Sequence, residues 1–193
     1  MAVMTTTTPF LAPVERPKGL FLRLGYYFTR KKFGKVMTPL SVFSARMPTA
    51  FTIFYGKIGK LDKKVEISHE LVQLIREHVS TVNGCGFCMD ANRAGAANAA
   101  DSHRAKMDAI ESYETDAAFS EAERAALDYA SEVTRNKAVA SETFASLARH
   151  FNEREICDIV WVISSEHLYN INNIALNIGS DGLCEIAAHG KER

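Results

Sequence analysis

A chain of 193 residues, 47% hydrophobic and 24% charged, has enough apolar side chain for one domain with a sizeable core. Lysine plus arginine matches aspartate plus glutamate at 23 each, so overall charge makes no case for nucleic acid or an anionic membrane as partner. The most apolar run, residues 39–55 (PLSVFSARMPTAFTIFY), is interrupted by Arg46 and Pro48 and is too short to span a bilayer.

The opening, MAVMTTTTPFLAPVERPKG, lacks the basic start and continuous apolar stretch of a signal peptide and reads as an extended, partly disordered arm over residues 1–17. A reducing, cytoplasmic setting follows by default. There the four cysteines (85, 88, 157 and 184) are not expected to build a disulfide framework, and a Cys-x-x-Cys pair points to catalysis or metal binding.

Beyond the arm the periodicity is helical almost throughout. Residues 18–34 and 40–60 each read as a helix, separated near Gly34 and Pro39. In the next helix Ile67, Leu71, Leu74, Ile75, His78, Val79 and Val82 recur at 3.6-residue spacing, and Asn83-Gly84 supplies the stop. A short Ala-rich helix is expected from Cys85 to Ala100. Ser120 and Glu123 form a capping box that opens a helix to about Arg135, and Ser141 is expected to cap another through Phe144, Leu147 and Phe151. Asn152 and Glu155 start a third, whose ICDIVWVI stretch is apolar nearly all round and reads as central or as a subunit interface. No useful segment alternates with period two. The predicted fold is all-α, a single-domain helical bundle over residues 18–186 with an N-terminal arm and a C-terminal tail, 187–193.

The segment NGCGFCMDANRAG, residues 83–95, carries the chemistry. Cysteines 85 and 88 in the first turn of a helix share a face and can close an intramolecular disulfide. The helix N-terminus favours a thiolate there, lowering its pKa below the free value of about 8.5. One thiolate attacks and the other resolves the intermediate, as peroxide reduction or thiol–disulfide exchange requires. Zinc would need a second ligand pair that the sequence does not offer at ligand spacing, and two cysteines can also simply fill an Ala-rich helix. Cys157 and Cys184 read as core residues.

With these helices around it, NGCGFCMDANRAGA resembles the carboxymuconolactone decarboxylase-like superfamily, in particular its alkylhydroperoxidase (AhpD-like) branch. FSEAERAALDYASEVT (119–134) and SEHLYNINNIALNIGSDGLCEI (165–186) resemble its later helices and tail, so the likeness spans about residues 18–186. It implies an all-α fold, trimers or hexamers of this chain and, in the peroxidase branch, thiol chemistry without metal or haem; no cofactor is expected, and from charge and apolar length no nucleic-acid or membrane partner. The peroxidase branch has the pattern Glu-x11-Cys-x2-Cys-x3-His, its Glu and His forming a proton relay. Here Gln73 and Asn92 stand at those two positions. An amide can orient a thiol by hydrogen bonding but takes no proton near neutral pH, and general-base assistance is worth about 10²- to 10⁴-fold.

Groups able to replace the relay are therefore of interest. Glu66, Glu70, Gln73 and Glu77 share one helix face, which reads as a solvated stripe or, alternatively, as placing Glu70 or Glu77 in the relay. Asp90 points elsewhere and reads as solvated or a cap. His167 continues the Ile156, Val160, Ile163 row toward the core or the cysteine pocket, with Glu166 beside it, and His78 lies on an apolar stripe; the two histidines read as core residues or, with Glu166, as relay members. His69, His103, His150 and His189 read as surface or terminal. The resulting expectation is a thiol oxidoreductase, with Cys88 attacking, Cys85 resolving, and Asn92 and Gln73 orienting. Its substrate would be a hydroperoxide or a disulfide, with a thiol as electron donor. Lactone decarboxylation and a non-catalytic redox-responsive oligomer are the rivals.

Overall fold

Helix boundaries in the computed structural model, which describes residues 7–189, follow local stop and start signals closely. The first helix, α1 (Leu20–Phe33), ends at Gly34, whose φ of 72° is the left-handed conformation that glycine adopts without steric cost. The helix expected at 40–60 is instead a series of short turns: a π-turn at Leu40–Ser44, α-helical turns at Pro48–Thr52 and Gly59–Leu61, and a further π-turn at Ile53–Ile58. Pro48 explains the main break, because it cannot donate to a preceding turn and so opens a new one as its first residue.

The central helix, α2 (His69–Asn83), begins at Ser68, whose side chain accepts from the Leu71 N–H, and stops at Gly84 with φ 71°. Leu74, Ile75 and Val79 are fully enclosed, and each such side chain contributes about 1.5–3 kcal/mol by leaving water. Next come α3 (Gly86–Gly95), shorter than the expected Cys85–Ala100, and α4 (Asp101–Asp108). The capping box Ser120/Glu123 opens α5 (Glu121–Asn136) as expected. Ser141 is not a cap: the N-cap of α6 (Ser141–Ala148) is Ala140, whose N–H donates to Glu132 Oε1 on α5.

Asn152 and Glu155 open α7 (Glu153–Ile174), and α8 (Leu183–His189) follows. The apolar stretch of α7 has two fates. Ile159, Val162 and Ile163 join the main core with α2 and α5, whereas Val160 and Cys157 face outward. Cys157 is thus not a core residue; it sits a quarter-turn or more from the packed face of α7. Among the described residues there is no strand, and the fold is all-α. None of these helices is long and apolar enough to cross a membrane.

A second apolar cluster gathers Val42, Phe87, Ile178 and Leu183 around Cys85 and Cys88. From Thr7 onward the arm is tied down, with Phe10 N–H donating to Leu176 O and Val14 N–H to Ser41 O. Residues 1–6 of the arm and 190–193 of the tail lie outside the described residues.

Candidate active site

Gly84 turns the chain sharply from α2 into α3, so that Cys85 becomes the N-cap of α3 and Cys88 its third residue. The Cys88 N–H donates to Cys85 Sγ at 3.4 Å, and the two sulfurs form a disulfide with Cα atoms 5.3 Å apart. Cys88 Sγ also accepts from Asn173 Nδ2 at 3.3 Å, across on α7. Cys88 opens on a cavity of about 220 Å³, while Cys85 is enclosed behind it. Phe54 is stacked on Phe43 and edge-on to Tyr169, and these rings with Phe87 make the aromatic wall of that cavity.

The opposite wall is polar. Glu166, which is 2% exposed, accepts from Ser80 Oγ at 2.7 Å and from Asn170 Nδ2 at 2.9 Å. Asn92 Nδ2 donates to Ser80 Oγ at 3.3 Å, so a continuous chain of hydrogen bonds runs from Asn92 through Ser80 to Glu166. Burial pushes the Glu166 carboxyl up, opposed by Arg76 and by its donors. Arg76, held by Asp62 at 2.7 Å, lines the cavity too. Arg76 Nε and Asn172 Nδ2 are enclosed there without an acceptor among the described residues.

The other sequence-predicted residues divide. Glu66 and Glu70 are exposed, as a solvated stripe requires. Gln73 and Glu77, on the same wheel face, are buried because α3 and α4 pack over that end of α2. Glu77 is wholly enclosed and pairs with Arg93 Nε at 2.7 Å, while its second oxygen has no partner among the described residues. Burial pushes its carboxyl up to about 7 against the pull of Arg93. Gln73 Oε1 meets His103 Nε2 at 2.9 Å, so His103 is buried rather than on the surface.

His78 does not join the cysteines. Its Nε2 lies 2.5 Å from Ser131 Oγ, and burial pushes its pKa down to about 4. His167 is half-buried between Asn83 Nδ2 and Thr134 Oγ1, each at 3.2 Å, and is linked to Glu166's network through Asn83 and Asn170.

Asp90 is not solvated. It is 1% exposed and accepts from the N–H groups of Asp181, Leu183 and Cys184 and from Ser180 Oγ, which makes it the cap that anchors α8. Asp181 in turn accepts from Thr38 N–H and Oγ1 at 2.7 Å. The GSDGLC stretch is therefore a docking device. Cys184 is half-buried, and burial with the neighbouring Asp90 pushes its thiol pKa up.

Ser80, Asn170 and Asn173 were not singled out from sequence. A signal was present, since Glu166, Asn170 and Asn173 fall on one face of α7 and asparagines are poor residues for a helix interior. Among the described residues no group of three or more His, Cys, Asp or Glu side chains could hold a metal ion.

No protein-family model matches the sequence. The uncharacterized protein YnjA of Escherichia coli (strain K12) is 26% identical over 175 residues, covering 86% of this chain and 92% of its own. Among solved structures, the debrominase Bmp8 superposes with a TM-score of 0.77 at 23% identity, covering 94% of this chain and 97% of its own. A cysteine-to-alanine variant of that debrominase, in complex with 2,3,4-tribromopyrrole, gives 0.73 at 21% identity, covering 96% and 99%. An alkylhydroperoxidase AhpD core, an uncharacterized peroxidase-related protein from Ralstonia eutropha JMP134, gives 0.74 at 21% identity, covering 94% and 98%. At these identities the likeness is one of architecture: the chain has the AhpD-like helical fold that its sequence resembles.

Proposed function

We propose that the protein is a two-cysteine thiol oxidoreductase that reduces small hydroperoxides. The observation that carries this reading is the placement of Cys88 on the cavity, backed by Cys85 and sharing that cavity with the Asn92–Ser80–Glu166 chain. In the reduced protein the Cys88 thiolate attacks the distal oxygen of R–O–O–H. The O–O bond breaks, Cys88 becomes a sulfenic acid, and the alkoxide leaves as alcohol after taking one proton. Cys85 then attacks the Cys88 sulfur, an S–S bond replaces the S–O bond, and hydroxide leaves as water with a second proton. An external dithiol returns the pair to its starting state. Asn173 Nδ2 stabilises sulfur charge at Cys88, and Glu166, with its raised pKa, holds and returns the proton that imidazole carries in the peroxidase pattern.

The test is consumption of cumene hydroperoxide by reduced protein with dithiothreitol. Turnover should be lost in Cys88→Ser, and one equivalent of peroxide should yield the Cys85–Cys88 disulfide by mass spectrometry. Peroxide consumption unchanged by Cys88→Ser sinks the reading.

The aromatic wall favours a second reading, reductive dehalogenation of a small ring, and Bmp8 is named a debrominase. The same dithiol then supplies two electrons: the carbon–halogen bond becomes carbon–hydrogen, halide and a proton are released, and the disulfide forms. Bromide release from 2,3,4-tribromopyrrole with dithiothreitol, without peroxide turnover, would select it. Turnover of a lactone by a variant lacking both cysteines would instead select decarboxylation, and oxidation without any turnover a sensing role.

A further inference from the structure

Zero net charge conceals a strong segregation. Between Glu15 and Asp62 the sequence has ten lysines and arginines and no carboxylate, so the compensating acidic excess lies in the rest of the chain. Helix α1 displays much of this basic segment. It buries Leu22 and Tyr26 and turns Leu20, Phe21, Leu24, Tyr27 and Phe28 outward, each between 42% and 71% exposed.

The spacing orders these residues. Leu20, Leu24, Tyr27 and Lys31 form the outward crest; Phe21 and Phe28 flank it on one side, Arg23 and Arg30 on the other. On the arginine side lies a cleft of about 650 Å³ lined by Arg16, Arg23, Arg30, Tyr26 and Tyr27, with Glu15 its one carboxylate. No ion pair engages any of these three arginines among the described residues. A contiguous apolar crest beside unpaired guanidinium groups marks an interaction surface rather than ordinary scattered exposure.

Charge selects against a two-fold contact through this face. A second copy laid face to face would set Arg23, Arg30 and Lys31 against their own equivalents, with no carboxylate on the helix to separate them. An anionic lipid surface satisfies both halves of the pattern. Leucine and aromatic side chains enter the headgroup–acyl boundary, and guanidinium groups take phosphate oxygens in bidentate fashion. We propose that α1 and its three-arginine cleft form a peripheral docking site for an anionic phospholipid bilayer, with the crest inserted and Arg16, Arg23 and Arg30 on lipid phosphates. The whole-chain balance, which makes no case for a membrane partner, does not describe this segment, and peripheral docking needs no spanning helix.

The test is co-sedimentation of the full chain with vesicles of phosphatidylcholine containing about one third phosphatidylserine, at low ionic strength. Binding is expected there, not to pure phosphatidylcholine, and should fall steeply near 1 M salt, where the screening length is about 3 Å. Each basic residue near such a surface is worth roughly fivefold in partitioning, so Arg23→Glu with Arg30→Glu should weaken binding by about thirtyfold or more. Both sites are exposed, and an unchanged unfolding midpoint checks that the fold survives. Leu24→Ser with Phe28→Ser should weaken binding while leaving its salt dependence intact. Equal binding to both vesicle types, no binding at low salt, or full binding by the charge-reversed variant overturns the proposal. So does displacement from vesicles by millimolar inorganic phosphate or by an RNA oligonucleotide that binds more tightly. A wild-type oligomer that Leu24→Ser with Phe28→Ser dissociates, without vesicle binding, would reassign the face to a subunit contact.

Discussion

Ser80 Oγ stands 2.7 Å from Glu166 Oε1, joining residues 86 positions apart and linking Asn92 to a buried carboxylate on the cavity that Cys88 faces. The position where the peroxidase pattern has histidine thus retains a path to an acid, although it no longer carries a proton itself. Replacing Glu166 with Gln keeps the shape and removes the proton. Turnover should fall about 10²-fold or more, the loss typical of a general acid or base, while the unfolding midpoint changes little. Steady-state peroxide consumption beside thermal unfolding separates the two effects.

Asn92→His places an imidazole one hydrogen bond from Ser80. Turnover near neutral pH should rise about tenfold, because imidazole exchanges protons there and an amide does not. Unchanged turnover in this variant would mean that Glu166 already supplies the whole relay.

Asn173 Nδ2 is the side-chain donor to Cys88 Sγ, at 3.3 Å. A hydrogen bond to a charged group contributes about 1.5–3 kcal/mol, so Asn173→Leu should raise the apparent pKa of Cys88 by about one unit or more and slow its alkylation at neutral pH about tenfold. The pH profile of iodoacetamide labelling of the reduced protein reads this directly.

Glu77 and His78, adjacent on α2, oppose each other in pH-linked stability. The folded-state pKa of Glu77 is raised to about 7, so its contribution is complete below its ordinary value of 4.5 and is lost as pH rises toward 7. That of His78 is lowered to about 4, so its contribution is complete above 6.5 and is lost as pH falls toward 4. Each is of order 3 kcal/mol, and between about 4.5 and 6.5 they largely cancel. Glu77→Gln should remove the carboxyl's opposing contribution, giving stability to urea that climbs more steeply with pH across this window than that of the wild type.

Asp90 accepts four hydrogen bonds from the segment Ser180–Cys184. Asp90→Ala leaves those donors unmet at a cost of about 2–4 kcal/mol, and amide exchange in α8 should accelerate before that of α2 does.

The sequence alone determined the helical class, the capping boxes at Ser120 and Asn152, the stop at Gly84 and the placing of Cys85 and Cys88 on one helix face, because each rests on contacts within a few residues of chain. It did not determine which carboxylate is buried. On the helical wheel Glu70 and Glu77 are equivalent, yet Glu70 meets water and Glu77 meets Arg93, since only one end of that face is covered by α3 and α4. The same limit hid His103 against Gln73, put Cys157 in solvent, and concealed Ser80 as the link to Glu166. Local periodicity says which residues share a face. Only the packing of distant helices decides whether that face is wet, and with it which groups hold perturbed protons beside the thiols.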